Sequence, residues 1–391
     1  MTPQRMNLSF EFATATRVVF GPGRIREIGA LAKDLGRRAL IVTGRDQDRA
    51  RGLIGHLKAA GVDFSVFSVV TEPEVRTVIE GVAKAKQSGS DIVISFGGGS
   101  AIDGGKAIAA MLHNTGSLID YLEVIGQGKA LSVAPAPFIA IPTTAGTGSE
   151  VTRNAVLASP EHKVKVSLRS PLMLPRIALV DPELTYDLPP ALTASTGLDA
   201  LTQLIEPYVS CRANPMTDGL CVEAIPRAAR SLAKLFVSGN NPEPRQDLCL
   251  ASLFGGLALA NAGLGAVHGF AGPIGGMFPA PHGAVCAALL PHVMEINLRA
   301  LREREPENPA LNRYEMLGRL LTGKADATAD DGVAWVKRLV QDLKILPLRV
   351  YGVEPESAVE LVKNAARASS MKANPLTLTN DEMREVLSRA N

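Results

Sequence analysis

Four short apolar runs punctuate the first 185 residues: RALIVTG (38–44), FSVFSVV (64–70), DIVISFGGG (91–99) and PFIAIPTT (137–144). Segments with helical spacing lie between them, among them REIGALAKDLG and VIEGVAKAKQSG. Buried strands alternating with helices predict βαβ units and a parallel sheet. After VDPELTYDLPP (180–190) the pattern changes. Longer Ala/Leu-rich segments with helical periodicity follow at 191–209, 217–235, 245–261, 283–301, 310–321, 328–343, 355–369 and 380–389, and almost nothing there reads as strand. The expected fold is an α/β domain with a parallel sheet over residues 1–185, then an all-α domain over 186–391, divided where Pro189 and Pro190 interrupt the chain. SGNNPEPRQD (238–247) and REREPENPALN (302–312) read as surface loops between helices.

Two glycine-rich turns close apolar runs of the first half. In SFGGGSAIDGGKAIAAM (95–111) a buried strand runs into Gly97, Gly98, Gly99 and Ser100, and a helix follows. Glycines let the backbone approach a ligand closely, and the amide groups at a helix start suit a pyrophosphate. The spacing is not the dinucleotide fingerprint G-x-G-x-x-G, so alone this turn reads equally well as a tight connection. The second turn, IPTTAGTGSEVT (141–152), gathers the hydroxyls of Thr143, Thr144, Thr147 and Ser149 around Gly146 and Gly148. It too follows a strand, at the carboxyl end where open α/β sheets bind ligands. Two such turns in one sheet favour a ligand site over plain connections.

Composition bounds the partners. The 391 residues carry a net charge of +2, with 46% hydrophobic and 20% charged residues, an ordinary soluble globular profile with room for two domains. No basic run points to nucleic acid or to a membrane surface. MTPQRMNLSFEFATATRVVF lacks the apolar core and cleavage site of a signal peptide. No uninterrupted apolar run reaches the roughly 18 residues that span a bilayer. Cys211, Cys221, Cys249 and Cys286 form no C-x-x-C pair. They read as reduced, mostly buried small hydrophobes in a cytoplasmic protein.

In the second half, TGLDALTQLIEPYVS (196–210) opens a helix with Asp199 and Gln203 four residues apart, on one face. The pair suits half of a metal site or simply a polar helix start. Of the six histidines, His56, His113 and His162 read as satisfied core or surface residues, the usual state of a histidine without a motif around it.

Taken together, GGGSAIDGGKAIA, PTTAGTGSEVT, LVDPELT, TGLDALTQLIEPYVS and VHGFAGPIGGMFPAPHGAVCAALLPHV resemble the iron-containing (group III) alcohol dehydrogenases, within the dehydroquinate synthase-like superfamily. The resemblance runs from FGPGRIREIG (20–29) to LLPHV (289–293). It implies a dinucleotide domain, a helical domain, and a site in the cleft between them. It implies that Gly98, Gly99 and Ser100 hold the pyrophosphate of NAD or NADP, with Asp103 at the start of the same helix. Thr143, Thr144, Thr147 and Ser149 would face the ribose and nicotinamide, and Lys165 would contact the cofactor. Without the resemblance Lys165 would read as a solvated surface lysine. His292 matches a family residue taken as structural, and relatives are commonly dimers or larger homo-oligomers.

The resemblance also implies a divalent metal on an Asp, a His one turn later, and two further His. Asp199, His268 and His282 match three of these, and Gln203 stands at the position of the fourth. A carboxylate with two imidazoles suffices for catalytic Zn²⁺ with an open position and suits Fe²⁺ as well. Related glycerol dehydrogenases hold zinc on three protein ligands. Gln203 would add a weak carboxamide ligand, or its presence would mean that no metal binds. A further family histidine near the substrate is replaced by Gly272, which opens space.

The implied activity is hydride transfer between a nicotinamide and a small or medium alcohol or aldehyde, assisted by metal. The alternative is a metal-independent reductase of the maleylacetate type or a hydroxyacid–oxoacid transhydrogenase. An oxo-acid substrate would want arginine in the cleft, for which Arg153 and Arg212 are the candidates. A lyase resembling dehydroquinate synthase, or an inactive nucleotide-binding paralogue, fits the motifs less well.

One departure bears on the cofactor. Relatives that prefer NAD usually carry Asp after the first strand, placed to hold the adenosine ribose; here LIVTGRD has Gly44 and Arg45. Without a carboxylate to repel it, a 2′-phosphate is admitted, and Arg45 is a candidate to pair with it. Acceptance of NADP(H) is the expected outcome when kcat/KM is compared for the two cofactors; strong exclusion of NADPH contradicts it.

Overall fold

The computed structural model describes residues 9–162 and 164–391. The expectation about a leader therefore falls partly, at residues 1–8, outside the described residues. The chain forms strands β1 (Arg17–Phe20), β2 (Arg38–Thr43), β3 (Asp63–Ser68), β4 (Ile92–Gly97), β5 (Phe138–Pro142), β6 (Asn154–Ser159), β7 (Val164–Arg169) and β8 (Ile177–Val180). Six of them make one parallel sheet in the order β1-β8-β5-β4-β2-β3, while β6 and β7 form a separate antiparallel hairpin.

The four expected strands are β2 to β5. Every residue of β4 is buried, as is all of β2 after Arg38. Such runs belong to strands covered on both faces. Ala39, Ile41, Ile92 and Ile94 pack to one side with α1 (Ile28–Lys33) and α2 (Arg51–Ala59). Leu40, Val42 and Val93 pack to the other with α3 (Val75–Ser88) and α4 (Gly99–His113). Neighbouring strands β2 and β4 thus feed helices on opposite faces, which opens a crevice at their carboxyl ends. The sequence did not disclose β1 and β8, which have only four residues each, or the β6–β7 hairpin, whose strands are only partly buried.

After the short α5 (Leu118–Tyr121) and β8, the chain turns helical: α6 (Pro190–Val209), α7 (Pro215–Val237), α8 (Pro242–Ala262), α9 (Ala266–Met277), α10 (His282–Arg304), α11 (Ala310–Thr322), α12 (Ala329–Asp342), α13 (Ala358–Arg367) and α14 (Asn380–Ala390). Eight of these are the expected segments. Proline in the first turn starts α6, α7 and α8, and reciprocal capping boxes start α7, α12 and α14. Residues 238–247 are not simply a surface loop. Pro242 opens α8 there, and Arg245 is fully buried, its guanidinium on the Gly239 and Leu188 carbonyls and the Thr193 hydroxyl. Nor is 302–312 all loop, since α10 extends to Arg304 and α11 begins at Ala310.

The unexpected helix is α9. AVHGFAGPIGGM carries four glycines and Pro273, a composition that disfavours helix. Burial overrides propensity: Val267, Phe270, Ala271 and Ile274 are in the core. Its first amides are received by side chains, Ala266 N–H by Asn374 Oδ1 at 3.1 Å and Val267 N–H by Glu206 Oε1 at 2.7 Å. Helix α10 is the one single helix among the described residues long and apolar enough to cross a bilayer, but 83% of its apolar window is buried inside the fold, so that apolarity serves the core.

The two halves meet closely at Gly148. Its φ of 60° lies in the left-handed region, and its backbone abuts that of Gly256 on α8, so a β-carbon on either residue would collide with main chain. Gly148→Ala is expected to destabilise the fold by about 1–3 kcal/mol. Gly219→Ala, exposed on α7 with open space around it, should be neutral or stabilising by up to about 1 kcal/mol. Denaturant unfolding checks the pair, and an unchanged midpoint for Gly148→Ala contradicts the packing argument.

Candidate metal and dinucleotide site

The two glycine-rich turns lie side by side at the carboxyl edge of the sheet, because β4 and β5 are hydrogen-bonded neighbours. Thr143 N–H donates to the Gly97 carbonyl at 2.9 Å. A β-carbon on Gly99 would sit 2.9 Å from Thr147 Oγ1, so only glycine lets the turns nest. Gly98, Gly99, Ser100, Thr144 and Thr147 remain partly open, whereas Thr143 and Ser149 are buried beneath them. Gly44 follows β2 beside this edge with no atom within 4 Å of where its β-carbon would be, and Arg45 is exposed and makes no ion pair among the described residues.

Asp103 is turned inward. It is buried on α4, and its Oδ2 accepts the Val156 N–H at 3.1 Å. Beside it Lys106, overlooked in the sequence, is almost fully buried and donates to Ser149 O (2.8 Å), Thr152 Oγ1 (2.9 Å) and Asn154 O (2.7 Å). Burial lowers the Lys106 pKa to about 8, with Asp103 and Glu150 opposing, and burial raises that of Glu150 to about 7. These groups brace the second turn from below. Lys165, on β7, pairs with Glu72 at 2.6 Å and runs against Gly275 of α9, tying the hairpin to the helical half.

The second cluster lies on α6, α9 and α10. Asp199 Oδ1 is 3.3 Å from His268 Nε2 and 3.7 Å from His282 Nε2, yet it is buried and accepts no hydrogen bond. Gln203, one turn further along α6 and 2% exposed, likewise leaves Oε1 buried without a partner. Orphaned acceptors of this kind are costly unless a cation or donor meets them. Glu206 Oε2 receives the His268 Nδ1–H at 2.6 Å, which fixes the ring orientation with Nε2 facing Asp199. The donors of Asp199, His268, His282 and Cys286 all lie within 4.8 Å of one another. Burial alone would raise the Asp199 pKa, but His282 and His268 outweigh it and hold the carboxyl below its usual range. Burial alone would lower the His268 pKa, but Cys286, Glu206 and Asp199 hold it well above the ordinary value. The site thus attracts positive charge, and the donor set fits a divalent metal.

The structure brings Asp199, His268 and His282 together, with Gln203 one turn beyond Asp199 on α6. Cys286, expected to be only a small buried hydrophobe, belongs to the same cluster. The signal was its place one turn after His282. Glu206 was also overlooked, although it stands one turn past Gln203 on the Asp199 face. Gly272 faces open space, with nothing within 4 Å of a β-carbon there. Arg153 and Arg212 lie elsewhere, in a cavity shared with Glu11, Cys211, Asn261 and Arg313 whose lining includes no member of the cluster.

A doubly covered parallel sheet with nested glycine turns, facing a helical half that offers a carboxylate and two imidazoles, suits a nicotinamide-dependent, metal-assisted dehydrogenase. Residues 15–182 match the family described as iron-containing alcohol dehydrogenase, and residues 193–391 match the Fe-containing alcohol dehydrogenase family, C-terminal. The chain belongs to the iron-containing alcohol dehydrogenase family. The 1,3-propanediol dehydrogenase of Klebsiella pneumoniae is 34% identical over 390 residues, which cover 97% of this chain and 98% of that protein. The NAD-dependent methanol dehydrogenase of Bacillus methanolicus is 33% identical over 383 residues, covering 95% and 97%. A crystal structure of a 1,3-propanediol oxidoreductase superposes with a TM-score of 0.91 at 33% identity, covering 98% of this chain and 100% of that one.

Glu206 provides the check on how the cluster is built. Glu206→Gln keeps an acceptor for the Val267 amide but replaces the carboxylate on His268. Zinc affinity, measured by competition with a chromophoric chelator, is expected to fall about 10–100-fold. Unchanged affinity contradicts the assignment.

Proposed function

We propose that the chain interconverts a small or medium alcohol and its carbonyl partner, using NAD(P) in the cleft between the carboxyl edge of the sheet and α6, α9 and α10. The observation that carries this reading is the contact of the second glycine turn with α6. A β-carbon on Gly146 would lie 2.9 Å from Thr196 Cβ, one turn before Asp199. Cofactor turn and metal cluster therefore share one space.

The parts then have distinct tasks. The amides of Gly98, Gly99 and Ser100 at the start of α4 receive the pyrophosphate. Thr144 and Thr147 line the ribose and nicotinamide, over the floor braced by Lys106. A divalent ion held by Asp199, His268 and His282 would supply Lewis-acid polarisation of the reacting oxygen. In oxidation the carbinol C–H bond breaks, its electron pair passes with hydride to C4 of the nicotinamide, and the hydroxyl proton leaves to solvent on the side where the His282 side chain is 35% exposed. Gly272 leaves room beside the reacting carbon for a bulkier substituent.

Open space at Gly44 and an exposed Arg45 without an ion pair among the described residues support use of NADP(H) as well as NAD(H). The four thiols remain free, which supports a reducing compartment such as the cytoplasm. The positions of Arg153 and Arg212 give no support to an oxo-acid substrate.

The deciding experiment is metal analysis of the purified protein, with activity measured before and after a chelator and again after divalent metal is restored. Loss of activity followed by recovery is expected. Full activity after complete metal removal overturns the metal-assisted reading.

A further inference from the structure

We infer that Cys286 is a fourth metal ligand, a thiolate that stands in for the imidazole absent at Gln203. This rests on Asp199, His268 and His282 being the metal-binding set. Cys286 lies one turn after His282 on α10, so the two side chains share a face. Its Sγ is 3.7 Å from His282 Nε2 and 3.8 Å from His268 Nε2, the ring nitrogens that also face Asp199 Oδ1.

These separations are close to the edges of a tetrahedron. With zinc–nitrogen and zinc–oxygen bonds near 2.1 Å and a zinc–sulfur bond near 2.3 Å, tetrahedral angles give about 3.4 Å between nitrogen and oxygen donors and about 3.6 Å between nitrogen and sulfur. The observed values are 3.3 and 3.7 Å for the oxygen and 3.7 and 3.8 Å for the sulfur. Four of the six separations thus suit a tetrahedron and the other two lie within 4.8 Å, which gives a set of one carboxylate, two imidazoles and one thiolate without the carboxamide of Gln203. Its oxygen stays buried and without a hydrogen-bond partner among the described residues.

The donor chemistry favours the same set, because a thiolate is a common zinc ligand beside imidazole and carboxylate. A soft sulfur donor also shifts preference from iron toward zinc or cobalt. Zinc in catalytic sites accepts a fifth donor, so four protein ligands still admit a substrate oxygen.

Cobalt substitution of the full chain reads the ligand directly. The Co²⁺-loaded protein is expected to show an intense near-ultraviolet thiolate-to-cobalt charge-transfer band beside the visible d–d bands of a low-symmetry site. Cys286→Ser is expected to keep the d–d bands, lose the charge-transfer band, and bind zinc more than about 100-fold more weakly, exceeding the loss of a residue that only orients a ligand. Visible d–d bands without charge transfer in the unaltered protein overturn the role of Cys286 and leave the three-ligand site standing. Failure of cobalt and zinc to bind at all overturns the metal-binding reading itself. Because the spectrum of the unaltered protein already decides the matter, a Cys286→Ser chain that does not fold leaves the test intact.

Discussion

The centre of this protein depends on how closely backbone can approach backbone where the sheet meets the helices. Gly146 lies against Thr196 of α6, Gly148 against Gly256 of α8, and Gly283 of α10 has the Ser195 carbonyl oxygen 2.7 Å from where its β-carbon would be. Together these contacts fix the first turns of α6 between the second glycine turn and the helix that carries His282. Asp199 begins the next turn. Its placement relative to that turn and to α10 is therefore set by main-chain packing rather than by flexible side chains, the kind of rigid support a reacting geometry requires.

Below that junction the protein places a layer of buried polar groups where apolar ones would serve stability more simply. Lys106 satisfies two carbonyls and a hydroxyl of the 149–154 segment, and Asp103 holds the next strand through the Val156 amide. Directional bonds of this kind specify one conformation of a turn that has little side-chain packing of its own. The carboxyl edge of the sheet is thus held from beneath by buried polar groups and from the side by close glycine contacts.

The central strands, eight of the nine helices that follow β8, and the candidate residues Asp199, His268 and His282 that the fold gathers were legible, because long periodic segments and dense motifs carry local signals. What escaped was decided by tertiary context. Helix α9 has a sequence that disfavours helix and forms because the core buries it. Arg245 lies in a Pro/Glu/Asn-rich segment that looks solvated, yet it is enclosed by the nearby Gly239 carbonyl and by Leu188 and Thr193 from a distant part of the chain. Lys106 and Glu206 carry ordinary helical spacing, and only the folded chain reveals which acceptors or imidazole they meet. Cys286 was discounted because an isolated cysteine is usually a small apolar filler, and its spacing from His282 acquires meaning only when α9 brings His268 alongside.

Glu206 performs two tasks with its two oxygens, one on the first turn of α9 and one on the ring of His268. A lineage that altered this residue would change the start of a core helix and the orientation of the His268 ring in a single step. The position therefore has no separate routes for drift toward stability and drift toward new chemistry. Change without that double cost is open to a neighbour such as Gly272, which has nothing within 4 Å of its β-carbon position.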